Sequence, residues 1–341
     1  MPPIPPHVNP LPRLITYYQT HHDSATGKHI SILPLLTQPS ISVTHVILAA
    51  IHINSDPHNI TLNDHVPDHP RFQTLWAELR ILQASGIKVL GMLGGAAKGT
   101  YARLDGDDNH QFETYYAPLR HLLQTRNLDG IDLDVEEEMS LSGIIRLIDR
   151  LRADFGPSFI ITMAPVAMAL LDSTKNLSGF DYEALEVMRG REIAWYNTQF
   201  YCGWGDLSNT FMYDMMLQKG WSPDKLVIGV VTNPANGSGF VAWDVLASVL
   251  GFLNQRHQNF GGVMGWEYFN SLPGDADQPW QWASDLSLLL RSHSLAAPGP
   301  VSPVQETQQN LQQEIDPDPV DPRPLQVPES FDYYSDGWGG D

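Results

Sequence analysis

Residues 128–138 read LDGIDLDVEEE, and within them Asp132, Asp134 and Glu136 alternate with Ile131, Leu133 and Val135. A repeat of two residues is the period of a β-strand, so the three acids share one face and the three apolar side chains the other. Two rises of roughly 3.3 Å put neighbouring acids about 6–7 Å apart along that face. The arrangement suits a closed barrel, in which one face of every strand points to the axis and reactive groups gather at the strand C-terminal ends. Glu136 then stands at the mouth, with Asp134 and Asp132 below it.

Seven further segments have strand character: LITYYQT (14–20), THVILAAIHI (44–53), KVLGML (88–93), FIITMAP (159–165), IAWYNTQFY (193–201), KLVIGVV (225–231) and GVMGWEYF (262–269). They are rich in β-branched, aromatic and leucine residues, and most end in Gly, Pro, Asn or Asp. Helical spacing fills the intervals. Residues 71–86 carry Phe72, Leu75, Trp76, Leu79 and Leu82 on one stripe before Gly86, and 140–156 repeat this with Ile144, Leu147, Ile148 and Leu151. Residues 243–257 and 278–293 are two more helices, whereas 21–40 show no clear one. Alternating β and α units imply a parallel sheet with right-handed crossovers. Eight of them predict an α/β protein with a (β/α)8 TIM barrel over residues 13–295. The rival, a doubly wound sheet, lacks support. No Gly-x-Gly-x-x-Gly follows the first strand, and GGAAKG (94–99) has neither dinucleotide nor P-loop spacing.

The flanks read differently. Residues 1–12, MPPIPPHVNPLP, hold six prolines and neither a basic nor an apolar leader region. From Ala296 to Asp341 there are eight prolines, nine acids and one base, Arg323. Such a composition predicts a disordered acidic tail over 296–341. Thirty-nine acids against 20 bases give a net charge of −19, which disfavours nucleic acid and anionic membranes as partners. No apolar run approaches the roughly 18 residues of a membrane span. The single cysteine, Cys202, allows no internal disulfide. A cytoplasmic monomer is the expectation, and in that compartment the sequons NIT (59–61), NLS (176–178) and NGS (236–238) would stay bare.

Stacked carboxylates cannot all ionise cheaply, so at least one pKa rises and the outermost acid can deliver a proton near neutral pH. A metal site is the alternative reading of such acids. Glu137 and Glu138 read as solvated loop charges, and His21 and His22 as a surface loop without ligand spacing.

DGIDLDVE (129–136) resembles the Asp-Gly-x-Asp-x-Asp-x-Glu signature of glycoside hydrolase family 18, the family of chitinases and endo-β-N-acetylglucosaminidases. GMLGG (91–95) is similar to its third-strand Ser-x-Gly-Gly, with Met92 in place of Ser. MAP (163–165), NTQFY (197–201) and VMGWE (263–267) resemble motifs of its fifth, sixth and eighth strands. The resemblance implies roles. Glu136 is the general acid/base, Asp134 orients the substrate acetamide, and Asp132 shares its proton. Tyr201 bonds the acetamide carbonyl, and Trp266 is the floor on which a sugar stacks. Gln199, Asp129, Tyr17 and Met163 join the substrate-binding set, and Trp204 stands near the rim. It also implies retaining, substrate-assisted hydrolysis, in which the 2-acetamido oxygen replaces a carboxylate nucleophile, with no metal and no cofactor. WYNTQFYCGWGD (195–206) looks like fungal endoglycosidases of this family. The expected substrate is therefore an N-glycan, as glycoprotein or glycopeptide, cut in its chitobiose core. Chitinase and inactive lectin are the alternatives.

Overall fold

A computed structural model describes residues 11–291. The disordered-tail expectation for 296–341 and nearly all of the proline-rich segment 1–12 lie outside these residues.

The strands are β1 (Arg13–Tyr18), β2 (His45–Ile53), β3 (Ile60–Leu62), β4 (Lys88–Gly94), β5 (Gly130–Asp134), β6 (Ile160–Met163), β7 (Trp195–Gln199), β8 (Leu226–Val231) and β9 (Gly262–Trp266). All except β3 are parallel to their neighbours, and β9 pairs with β1 while β1 pairs with β2, which closes eight strands into the expected barrel. β3 is an antiparallel addition on the end of β2 that the strand pattern does not signal. Around the barrel run α1 (Pro34–Thr37), α2 (Gln73–Ala84), α3 (Thr100–Leu104), α4 (Asn109–Thr125), α5 (Leu141–Phe155), α6 (Tyr182–Arg189), α7 (Phe211–Gln218), α8 (Trp243–Arg256) and α9 (Gln281–Arg291).

Two apolar layers follow from strand alternation. Leu14, Val46, Leu133, Ile161 and Met163 face outward and meet the buried stripes of the helices, among them Leu75 and Leu79 of α2 and Ile144, Leu147, Ile148 and Leu151 of α5. Ile15, Tyr17, Ile47, Leu90, Met92, Trp195, Val227 and Met264 fill the axis. Helix α5 starts where the Ser140 hydroxyl accepts from the Gly143 amide at 3.0 Å and stops at Gly156, whose φ is +75°. At the lower end of the barrel the Arg13 guanidinium lies 4.4 Å from the Trp195 ring centroid, and His45 packs edge-on to the same ring.

The first βα unit has only one helical turn, α1. Its long connection is held instead by the buried carboxylate of Glu78 on α2, which accepts from the Ser31 hydroxyl at 2.8 Å and the Ile32 amide at 3.0 Å and contacts His29 Nε2 at 3.1 Å. Among the described residues no helix is long and apolar enough to cross a membrane.

Candidate active site

Strand β5 is flanked by β4 and β6 in a register that sets Asp132 level with Met92 and Thr162. Its inward positions are Asp132 and Asp134, both buried. The strand ends at Asp134, two residues sooner than the sequence pattern suggests, and Glu136 stands on the loop beyond it.

Asp132 lies fully inside and accepts three hydrogen bonds: from the Tyr17 hydroxyl at 2.6 Å, the Thr162 hydroxyl at 2.5 Å and the Asn197 amide at 3.0 Å. Asn197 is oriented in turn by the Trp195 indole, which donates to its Oδ1 at 2.9 Å. Burial pushes the Asp132 pKa up, and the three donors pull the other way. One level higher, the Gln199 amide nitrogen spans two acids, reaching Asp134 Oδ1 at 3.2 Å and Glu136 Oε1 at 3.4 Å while it donates to the Ala164 carbonyl at 2.9 Å. Burial, then the charges of Glu136 and Asp132, push Asp134 well above the usual carboxylate range; burial also raises Glu136. The pair therefore retains a proton at a pH where free carboxylates have lost theirs, the state a proton donor needs. Tyr17 and Tyr201 are raised by burial and by the same acids, so both phenols stay protonated and can donate.

Two glycines let β4 approach this pair. Gly94 and Gly95 have φ of +92° and +86°, and the Gly95 amide donates to the Asp134 carbonyl at 2.9 Å. A Cβ on Gly95 would come within 2.8 Å of Met92 Cε. Met92 lies in the axis and supplies no donor to Asp132, whose oxygens are served from β1, β6 and β7.

Trp266 closes the far side, its ring edge-on to Tyr17 with centroids 5.5 Å apart. Tyr201, just beyond the end of β7, joins the inner cluster, and Phe240 leans on that cluster as well. Trp204 is half-buried and packs against the outer layer.

Two residues of the expected set lie elsewhere. Asp129 precedes β5 at the lower end of the barrel, where its carboxylate pairs with Lys88 at 2.9 Å and accepts from the Val89 amide at 3.0 Å and the Gln83 amide at 2.8 Å. Five strand residues, about 16 Å, separate it from the mouth. It braces the strand and does not line the site. Met163 is fully buried on the outward face of β6, since the inward positions of that strand are Ile160 and Thr162.

Two acids at the rim depart from the sequence reading or escape it. Glu137 is buried, not solvated; its carboxylate accepts from the amides of Gly99 at 2.6 Å and Tyr101 at 2.7 Å, at the start of α3. Glu267, next to Trp266, accepts from the amides of Gln19 at 2.9 Å and Thr20 at 2.8 Å and from the Thr20 hydroxyl at 2.8 Å. His21, expected on the surface, is buried with Nε2 3.0 Å from the Tyr18 carbonyl. Among the described residues no group of three or more His, Cys, Asp or Glu side chains is arranged to hold a metal ion.

Comparison with known proteins agrees with this geometry. The family model for glycosyl hydrolases family 18 matches residues 13–242. A solved fungal endo-β-N-acetylglucosaminidase of that family is 48% identical with a TM-score of 0.80, covering 83% of this chain and 99% of its own. The solved chitinase ChiC from Aspergillus fumigatus is 55% identical with a TM-score of 0.74, covering 81% and 98%. Chitinase 2 from Rhizopus oligosporus is 30% identical over 224 residues, 60% of this chain and 36% of that protein. The match thus spans little more than a third of that relative's length. The chain belongs to glycosyl hydrolases family 18 and is a glycosidase with a (β/α)8 barrel.

Proposed function

We propose that this family-18 chain is an endo-β-N-acetylglucosaminidase that hydrolyses the β-1,4 bond of the chitobiose core of N-glycans. The observation that carries the mechanism is the fate of the rim carboxylates. A retaining glycosidase with a protein nucleophile needs a second carboxylate about 5–5.5 Å from the acid, across the sugar. Glu137 and Glu267 are the acids nearest in sequence to Glu136 and Trp266 that could have been recruited, and both are spent on backbone amides. Asp134 sits beside Glu136 on the same bridge, so it cannot straddle a sugar with it. A substrate that carries its own nucleophile removes the need.

In this reading the 2-acetamido oxygen attacks the anomeric carbon while Glu136 protonates the departing oxygen. Asp134 and the Tyr201 hydroxyl hold the acetamide during attack, and Trp266 supports the ring. Glu136, now ionised, takes a proton from water as that water opens the oxazolinium ion, and the configuration is retained. Asp132, with its three donors, fixes the level and charge of Asp134 from beneath.

The glycan substrate is supported by the 48% identity to the fungal endo-β-N-acetylglucosaminidase and by a match over nearly the whole of that chain. Chitin is the second reading, favoured by the 55% identity to ChiC. The test is incubation with a high-mannose glycopeptide and, separately, with chitin oligosaccharides, read by mass spectrometry. Release of glycan with one N-acetylglucosamine left on the peptide supports the proposal. Rapid cutting of the oligosaccharides beside an intact glycopeptide overturns it in favour of the chitinase.

A further inference from the structure

Strand β7 turns Trp195, Asn197 and Gln199 to the axis, a ladder that stands against the acid ladder of β5. Gln199 serves Asp134 and Glu136, and Asn197 serves Asp132 one level down. Trp195 is the rung beneath both. Its indole donates to Asn197 Oδ1 at 2.9 Å, while Asn197 Nδ2 donates to Asp132 Oδ1 at 3.0 Å. Fully buried below Asn197, Trp195 cannot touch a substrate at the mouth.

The three donors on Asp132 are not equivalent. The Tyr17 and Thr162 hydroxyls each carry a proton and lone pairs on one atom, so each can turn and accept from a protonated carboxyl. An amide has separate donor and acceptor ends. A half-turn of Asn197 would bring its oxygen to Asp132, a contact that needs a proton on the acid. The indole N–H forbids that turn. It can only donate, so it requires Oδ1 and would otherwise meet a second donor in Nδ2, and a buried N–H left unpaired is costly. Asn197 is therefore the donor of fixed sense on Asp132, and Trp195 fixes it.

The indole is itself clamped from below. The Arg13 guanidinium, 4.4 Å from its ring centroid, donates to the carbonyls of Asp224 at 2.6 Å and Gly261 at 3.2 Å. The His45 ring packs edge-on with centroids 4.7 Å apart, and burial holds its pKa down to about 3, so that ring stays neutral. Lys88, level with His45, is paired with Asp129. Around Asp132 the axial residues of β2, β4, β8 and β9 are apolar: Ile47, Met92, Val227 and Met264. Its titratable neighbours are Tyr17 from β1 and Asp134 above it, with Glu136 and Tyr201 at the next level. An anion at Asp132 helps to hold the proton of the Asp134–Glu136 pair, and a protonated Asp132 would let it go at lower pH.

We propose that Trp195 is a positioning residue of the reaction: by fixing the Asn197 amide as a donor it keeps Asp132 ionised beneath Asp134. The proposal rests on the substrate-assisted reading and holds for glycan and chitin alike. The test is Trp195→Phe, with a second variant carrying benzothienylalanine at position 195, which keeps the bicyclic shape and puts sulfur where the N–H was. Both are assayed across pH on whichever of the two substrates wild type cuts, beside Glu136→Gln. Without the indole N–H, Asp132 takes a proton more readily. The acid limb of kcat should therefore move up by about half to one pH unit and the alkaline limb should move down. At the optimum kcat should fall by about 3–10-fold with KM within about twofold of wild type. In an Asn197→Leu background the same replacements should move neither limb further, because the indole acts through the amide alone. Should Trp195→Phe not fold, the benzothienylalanine variant decides. Unmoved limbs in that folded variant, or a further shift in the Asn197→Leu background, overturn the positioning role while an inactive Glu136→Gln leaves the mechanism standing. An active Glu136→Gln overturns the mechanism and the positioning role together.

Discussion

Replacing Glu136 by Gln should cripple the enzyme and stabilise the fold. One amide nitrogen touches Asp134 at 3.2 Å and Glu136 at 3.4 Å, so the two contacted oxygens cannot be farther apart than both lengths together, about 6.6 Å. Two full charges at that separation repel by roughly 2.5 kcal/mol at an effective dielectric constant of about 20. Both acids have raised pKa values in the folded chain, so between the ordinary carboxylate pKa and the raised one the folded state binds more protons than the unfolded state. Stability therefore falls as pH rises through that window. The substituted amide keeps the shape of the glutamate and removes the repulsion. The variant's melting temperature should converge on wild type below about pH 3, where both states hold their protons, and exceed it increasingly toward pH 8. A relief of about 1–2 kcal/mol, after solvent screening, is a rise of several degrees for a barrel of this size. Activity should fall by about 10²–10⁴-fold, the usual worth of general acid–base catalysis. Thermal melts of both proteins across that pH range check the reasoning. A melting difference that is negative, or flat with pH, would show that the two carboxylates do not burden one another.

Tyr17→Phe removes the 2.6 Å bond to Asp132, and losing a donor to the ionised form raises that pKa further. The acid limb of the pH–rate profile should move to higher pH, with kcat lowered by about 10–100-fold, the cost of one charge-assisted bond. Glu137→Ala strips two amides at the start of α3 of their acceptor and should lower the melting point by several degrees in a thermal scan. Gly95→Ala forces a Cβ to 2.8 Å from Met92 at a φ of +86°, and should cost at least about 1 kcal/mol in denaturant unfolding while lowering kcat.

The eight barrel strands are legible because their apolar runs and turn residues recur at βα intervals, and the catalytic ladder because alternate acids in an apolar strand have few structural uses. What escapes has no local signal. FIITMAP is apolar at nearly every position, so its alternation cannot be read, and nothing in it tells that Met163 faces outward. Asp129 shares a motif with Glu136 but stands a strand's length below it. Glu137 looks like its exposed neighbour Glu138, because its partners lie 36 and 38 residues away. Thr162 and Asn197 are visible as polar residues in buried strands, yet only the register across β5, β6 and β7 joins them to Asp132.

The grip of Glu267 on Gln19 and Thr20 spans 248 and 247 positions, and that of Tyr17 on Asp132 spans 115. On the ribosome, the first strand must wait for nearly the whole barrel before its end is fastened, because the glutamate that fastens it is among the last barrel residues made. Until then Trp266 has not been synthesised and the amides of Gln19 and Thr20 stay with water. A nascent chain carrying Glu136 already has its acid but no closed mouth in which to use it. Contacts of such long range make late, slow closure the expected course. A chain stopped before residue 267 should therefore never acquire activity, whatever fraction of its helices has formed.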